Sequence, residues 1–257
     1  MISTDERERA EKSCSAFAAS QTNRKLKMSE TTIGRYLAPP ENTTQPLEYA
    51  FHLLGDVRGK TILEYGCGDG MNTVVLSRRG ARVIALDLSP ELLALANERL
   101  RVNQCHGSAL VLGSAHELPL HDESIDIVFG IAILHHLDLG LAAGEVHRVL
   151  KKGGRGIFEE PVRNSKLLAR MSRLLPTRAD VSRFEAPLTD QQIRDFTASC
   201  RYQGRTFHLI LSRLATRIPR FRRSLLRRCE KLDDMLLRRF PSLAHYGSIR
   251  VFEIAKR

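Results

Sequence analysis

The chain has 257 residues, 42% of them hydrophobic and 27% charged, with 40 Lys+Arg against 29 Asp+Glu and a formal net charge of +11. That length suits one large domain, or one domain with an appended part. The apolar content excludes a disordered or fibrous chain. No run approaches the ~18 apolar residues of a membrane span, and the start MISTDERERAEKS has no apolar segment of the secretory kind, so the expected address is the cytoplasm.

Residues 1–44 are polar, lack sustained periodicity, and read as an N-terminal extension or cap ending in the Pro39-Pro40 turn. A helix is predicted from near Pro46 through Leu54 to Gly55, with Thr44 or Gln45 near its cap. Strand and helix then alternate. Thr61–Tyr65, Arg82–Leu86, Ala109–Leu112, Ile125–Phe129 and Gly154–Glu159 read as strands. Asn72–Arg79, Pro90–Asn103 and Leu141–Leu150 read as helices, the second with Ser89 as cap and Pro90 first. The alternation implies an α/β fold with a mostly parallel sheet wound by helices on both faces. Continuous apolar runs such as Ile125–Phe129 suit strands covered on both sides.

After Glu160 the rhythm changes, and Pro161–Pro187 is irregular and basic. Asp190–Ser199 reads as a helix capped by Thr189, and Thr206–Leu211 and Ser248–Ala255 as strands. Between those strands, Pro219–Phe240 reads as an amphipathic helix. Phe221, Leu225, Cys229, Leu232 and Leu236 form its apolar stripe, expected to pack over the sheet as a lid. The expected division is 1–44 as extension, 45–161 as the core, and 162–257 completing the sheet and forming the lid.

Charge is unevenly placed. Residues 1–161 hold 18 Lys+Arg against 21 Asp+Glu, and residues 162–257 hold 22 against 8. The basic half reads either as a surface for an anionic partner or as a solvated face. Arg213–Arg239 carries ten Lys+Arg, so peripheral contact with an acidic membrane is a second reading of that helix. The five cysteines include no C-x-x-C pair, which predicts free thiols, no disulfide framework and no metal site.

The motif with the most chemical content is Glu64-Tyr65-Gly66-Cys67-Gly68-Asp69-Gly70, between a predicted strand and a helix. Glycines let the chain turn tightly and approach a ligand with bare backbone. The helix start that follows attracts negative charge. Asp87 closes the second strand, 21 residues after Gly66, where a carboxylate can accept both hydroxyls of a ribose. A dinucleotide fingerprint wants G-x-G-x-x-G. Here Met71 holds the last position and the third glycine falls one residue early, which argues against a nicotinamide cofactor.

With Ile84-Ala85-Leu86-Asp87-Leu88-Ser89-Pro90, Gly113-Ser114-Ala115, Phe129-Gly130-Ile131-Ala132-Ile133-Leu134-His135-His136-Leu137 and Val149-Leu150-Lys151-Lys152-Gly153-Gly154, these segments resemble, in order, the class I S-adenosylmethionine-dependent methyltransferases. The likeness is greatest to the small-molecule branch of the ubiquinone/menaquinone-biosynthesis type, over about residues 45–161. It implies a Rossmann-like, seven-stranded sheet, with the basic helical segment inserted between the last two strands. It also implies S-adenosyl-L-methionine as cofactor, with Glu64 and the Gly66–Gly70 loop (Gly66, Cys67, Gly68, Gly70) at the methionine end. Asp87 would bind the ribose, Leu88 the adenine face, Ser114 and Ala115 the adenine edge, and Gly130 and Ile131 the sulfonium region. The family often has Asp where this chain has Ser114, so the contact to the adenine amino group is expected from Ser114 or from backbone.

His135, His136 and Glu160 follow strand ends, where open α/β sheets bind ligands, and are the candidate acid–base residues. The expected acceptor is a small molecule, anionic or lipid-like. Nucleic acid is disfavoured, because Gly130-Ile131-Ala132-Ile133 stands where base-methylating relatives carry Asn/Asp-Pro-Pro-aromatic, there is no Pro-Cys pair, and there is no Trp for stacking. An RNA- or protein-directed enzyme, or a cofactor-binding protein without turnover, are the alternatives.

Overall fold

The structure is a computed structural model and describes residues 4–20, 26–165, 186–209 and 223–257. In chain order the elements are helices α1 (Thr4–Ser20), α2 (Glu30–Leu37) and α3 (Pro46–Leu54), strand β1 (Thr61–Tyr65), α4 (Met71–Arg78), β2 (Arg82–Asp87), α5 (Pro90–Val102), β3 (Ala109–Leu112) and β4 (Ile125–Ile131). They continue through α6 (Leu139–Val149), β5 (Leu150–Pro161), α7 (Asp190–Thr197), β6 (Cys200–Phe207), α8 (Arg223–Arg239) and β7 (Ile249–Lys256). Short 3-10 turns cover Leu134–His136 and Pro241–Tyr246.

All seven strands form one sheet in the order β3-β2-β1-β4-β5-β7-β6. The first five strands in that order pair in parallel, and β7 enters antiparallel between β5 and β6. One hydrophobic cluster, with Phe51 of α3, Val75 of α4 and Leu100 of α5, packs on Ile62, Phe129 and Ile157. The opposite cluster, with Val146 of α6 and Phe196 of α7, packs on Leu63, Val128 and Phe158. Alternate residues of each strand therefore enter different cores, which is why the strands read as unbroken apolar runs.

The pairing register brings the strand tips level. Tyr65 lies opposite Leu86 and Gly130, and Asp87 opposite Leu112. The residues just past each tip thus line up across the sheet. The order reverses between β1 and β4, where an open α/β sheet leaves a crevice. Asp69 and α5 secure one wall of it. Arg99, 4% exposed, donates from Nε to the Asp69 carbonyl and pairs with the Asp69 carboxylate, both at 2.8 Å.

Three regions depart from expectation. Residues 1–44 hold two helices, although no apolar periodicity announces them. The first turns of α1 dock through charged side chains, as described below. β6 runs Cys200–Phe207 rather than Thr206–Leu211, of which 210–211 lie outside the described residues. It is an edge strand with residues 201–204 exposed, so a polar sequence suffices there. The stripe on α8 is only partly covered, with Cys229 and Leu236 half-buried, and the buried face is turned toward the acids. Leu225 and Leu232 are 43% and 40% exposed, whereas Glu230 and Asp233 are buried. The acids turn inward because the body offers them donors. Gln45 Nε2 donates to Glu230 at 2.6 Å, the Leu209 N–H to Asp233 at 3.0 Å, and Arg205 pairs with Asp234 at 2.7 Å. Phe221 of the expected stripe lies outside the described residues, as does most of Pro161–Pro187.

Candidate active site

A cavity of about 260 Å³ opens over the tips of β4, β1, β2 and β3. Its walls include Gly66 and Gly68, Asp87 and Leu88, Gly113 and Ala115, and Ile131 with His136. The glycine turn and Asp87 are joined directly, since the Gly68 N–H donates to Asp87 Oδ2 at 2.8 Å. The Gly66 and Cys67 N–H groups both bond the Leu86 carbonyl, at 3.0 and 2.9 Å, which folds the turn over the neighbouring strand. Gly68 sits at φ 53 with open space where a Cβ would stand, leaving bare backbone toward the cavity.

Ser89 N–H donates to Asp87 Oδ1 at 2.9 Å and Gly68 to its Oδ2 at 2.8 Å, and with Leu88 these backbone donors hold the carboxylate at the cavity wall. Burial pushes its pKa above the ordinary value, against the pull of the bonds from Ser89, Gly68 and Leu88. Glu64 lies beneath the turn, 2% exposed, and does not line the cavity. The Thr73 hydroxyl donates to its Oε2 at 2.5 Å, while its Oε1 is buried without a hydrogen-bond partner. Burial pushes its pKa up to about 8, against the Thr73 bond.

The other expected site residues divide. Leu88, Ala115, Ile131 and His136 line the cavity. Cys67 turns its side chain into the core, and its thiol is raised by burial. Gly70 begins α4 at φ 79, where a Cβ would meet Ala96 at 2.8 Å, so it serves helix packing. Gly130 packs under Phe158 and Ile133. Ser114 Oγ is spent on Glu8 Oε1 at 2.5 Å.

Glu160, fully buried, reaches under the turn after β4. Its Oε1 accepts Ile133 N–H at 2.9 Å and Leu134 N–H at 2.7 Å, and its Oε2 lies 2.8 Å from His135 Nδ1. With a carboxylate at Nδ1, the His135 Nδ1 carries the proton and Nε2 is the ring's acceptor. The His135 ring, 10% exposed, lies 4.0 Å from that of His136. On the opposite face of β5, burial and the nearby Glu160 push Glu159 up to about 7.

Sequence reasoning missed a third wall. Arg7, Glu8 and Glu11 of α1 line the cavity. Arg7 donates to the Leu137 carbonyl at 2.5 Å, and Glu11 comes within 3.0 Å of His136 Nδ1. The spacing 7, 8, 11 places them on one helix face, a signal visible only once the stretch is known to be helical. Tyr65 was also missed: its hydroxyl donates to the Ala115 carbonyl at 2.5 Å and ties the loop after β3 to β1.

Residues 63–158 match the family described as "Methyltransferase domain". The matched stretch runs from β1 into β5, the part of the sheet that bears the cavity. The chain is 32% identical over 151 residues to malonyl-[acyl-carrier protein] O-methyltransferase of Hamiltonella defensa subsp. Acyrthosiphon pisum (strain 5AT), covering 57% of each. It is 39% identical over 105 residues to demethylmenaquinone methyltransferase of Thermobifida fusca (strain YX), covering 40% of this chain and 44% of that protein. The chain spans about half the length of these curated relatives. Among solved structures, geranyl diphosphate C-methyltransferase from Streptomyces coelicolor A3(2), in complex with Mg2+, geranyl diphosphate and S-adenosyl-L-homocysteine, superposes with a TM-score of 0.57. It is 17% identical and covers 86% of this chain and 87% of that one. The seven-stranded sheet is thus the class I methyltransferase fold.

The site fits S-adenosylmethionine on its own geometry. Gly68 leaves space for a ligand against backbone, Asp87 offers two acceptors to a diol, and Glu64 holds a buried oxygen short of a donor. The Glu64 environment has a consequence for stability. Its pKa is raised on folding from the ordinary 4.5, so its favourable contribution is complete below about pH 4.5 and is lost as pH rises toward 8. Glu64→Gln, which removes the ionisation, is expected to be more stable than wild type at pH 8–9 by on the order of 3 kcal/mol. The gap should close toward pH 5 in denaturant titrations. A pH-independent difference would contradict the assignment.

Proposed function

We propose that this chain transfers a methyl group from S-adenosyl-L-methionine to a small-molecule acceptor. The observation that carries the reading is the shared cavity of Gly66, Gly68 and Asp87, with Gly68 bonded to the Asp87 carboxylate. The bound cofactor supplies a methyl group already activated on a sulfonium. The protein's work is therefore positioning and exclusion of water. Asp87 and Leu88 hold the adenosine, Ile131 flanks the sulfonium region, and Glu64 faces the methionine end from below.

His135 accepts the acceptor's proton at Nε2, and Glu160 acts as the positioning residue that fixes its tautomer through Nδ1. His136 forms cavity wall. The acceptor proposed is anionic or lipid-like, in keeping with the basic C-terminal half. The outward stripe of α8, with Leu225, Leu232 and Met235 exposed among Arg227, Arg228, Lys231, Arg238 and Arg239, supports peripheral contact with an acidic membrane. Among the described residues no helix is long and apolar enough to cross one.

Incubation with labelled S-adenosylmethionine and a metabolite extract tests the reaction. A labelled small product is expected, and label in RNA or protein alone, or none at all, would contradict it. Co-sedimentation with acidic vesicles, lost in Leu232→Asp, is expected of the α8 face. Absence of pelleting at low salt would dismiss the membrane contact.

A further inference from the structure

We infer that Glu8, delivered by α1, reads the base of the cofactor: its carboxylate accepts the exocyclic amino group of adenine and rejects a 6-oxo purine. The inference rests on the cofactor reading above. Its geometry follows from the strand order. Across the cavity the walls run from Ile131 past β4, to Gly66 and Gly68 past β1, to Asp87 at β2, to Gly113 and Ala115 past β3. A ribose on Asp87 therefore has the reacting end toward β4 and the base toward β3. Glu8 stands at that base end.

Two donors fix Glu8 as an acceptor. Ser114 Oγ accepts the His116 N–H at 3.0 Å and so turns its own hydrogen to Glu8 Oε1. His116 Nε2 accepts the Asp138 N–H at 2.9 Å, so the ring proton sits on Nδ1, which donates to the same Glu8 Oε1 at 3.0 Å. Both bonds share one oxygen, leaving Oε2 engaged by neither. Burial raises the Glu8 carboxyl, but the bonds from Ser114 and His116 outweigh it and hold Glu8 below the ordinary value, hence ionised. An ionised oxygen at the edge of a base site favours an amino N–H. It repels a carbonyl oxygen in the same place. Since Ser114 is occupied by Glu8, the carboxylate and not the hydroxyl faces the base edge.

The competing role for Glu8 is a tether for α1, alongside Arg7 and Glu11. Base discrimination separates the two. S-adenosylhomocysteine and S-inosylhomocysteine are titrated into the full chain, its Glu8→Ala variant and its Glu8→Gln variant. Wild type is expected to prefer the adenosyl compound by about 100-fold or more. Glu8→Ala should lower that preference at least about tenfold. Glu8→Gln is nearly isosteric, and its amide oxygen can keep both donors. It should lower the preference further, because its amide N–H then faces the 6-oxo group. Variants that weaken both ligands equally, or that keep the wild-type preference, overturn the assignment of Glu8 while leaving the cofactor reading standing. Wild type that binds neither compound overturns both.

Discussion

Asp87→Ala is expected to lower affinity for S-adenosylhomocysteine by at least about 100-fold, with the fold intact. Backbone N–H groups of Gly68 and Ser89 hold one carboxylate oxygen each, and the two oxygens are the acceptors expected to meet the two ribose hydroxyls. Hydrogen bonds to a charged group contribute about 1.5–3 kcal/mol each. Two of them lost correspond to ~10²–10⁴ in the dissociation constant. The fold should survive, because burial makes this carboxylate costly in the free protein and its removal relieves that cost. Titration calorimetry reads the affinity, and thermal unfolding reads the fold. Unchanged affinity in a folded variant would show that Asp87 does not touch the ligand.

Glu160 carries the second large effect, and here stability and turnover separate. Its buried carboxylate holds Ile133 N–H, Leu134 N–H and His135 Nδ1 together. Glu160→Ala leaves these donors without their acceptor, at about 3–5 kcal/mol. That corresponds to a fall in Tm of roughly 6–20 °C for a chain of this size. Glu160→Gln keeps an oxygen for the backbone pair but loses the charge that holds the His135 proton on Nδ1. It is expected to fold, and to lower kcat about 10–100-fold with KM little changed. A shifted lower limb of the pH–rate profile should accompany the loss. A Glu160→Gln enzyme with wild-type kcat and pH profile would reduce Glu160 to a structural brace and remove the case for His135 as base.

The central sheet was legible because its signals are local and redundant. Thr61–Tyr65 and Ala109–Leu112 stand where the alternation places them. Pro90 and Ser89 mark the start of α5, with the Leu92 N–H donating to Ser89 Oγ at 3.2 Å. Asp87 and the glycine turn were paired by spacing alone, and the register of β1 with β2 brings them together. What escaped the sequence depends on partners distant in the chain. The first turns of α1 meet polar rims, Ser114 and His116 for Glu8 and the Leu137 carbonyl for Arg7, so no apolar stripe is needed there. The turn of the buried face of α8 toward its acids has the same cause. Glu230 and Asp233 find donors on Gln45 and Leu209, and those bonds, not the leucine periodicity, choose the buried face. Within the glycine motif, the pattern did not distinguish Gly68, which faces open space, from Gly70, which packs on Ala96.

A crystal structure of the chain with S-adenosylhomocysteine tests the account most directly. It should show both ribose hydroxyls within hydrogen-bond distance of Asp87, backbone of the Gly66–Gly68 turn against the ligand, and the base beside Ala115. A ligand bound elsewhere, or lying in this cavity with its ribose away from Asp87, would contradict it.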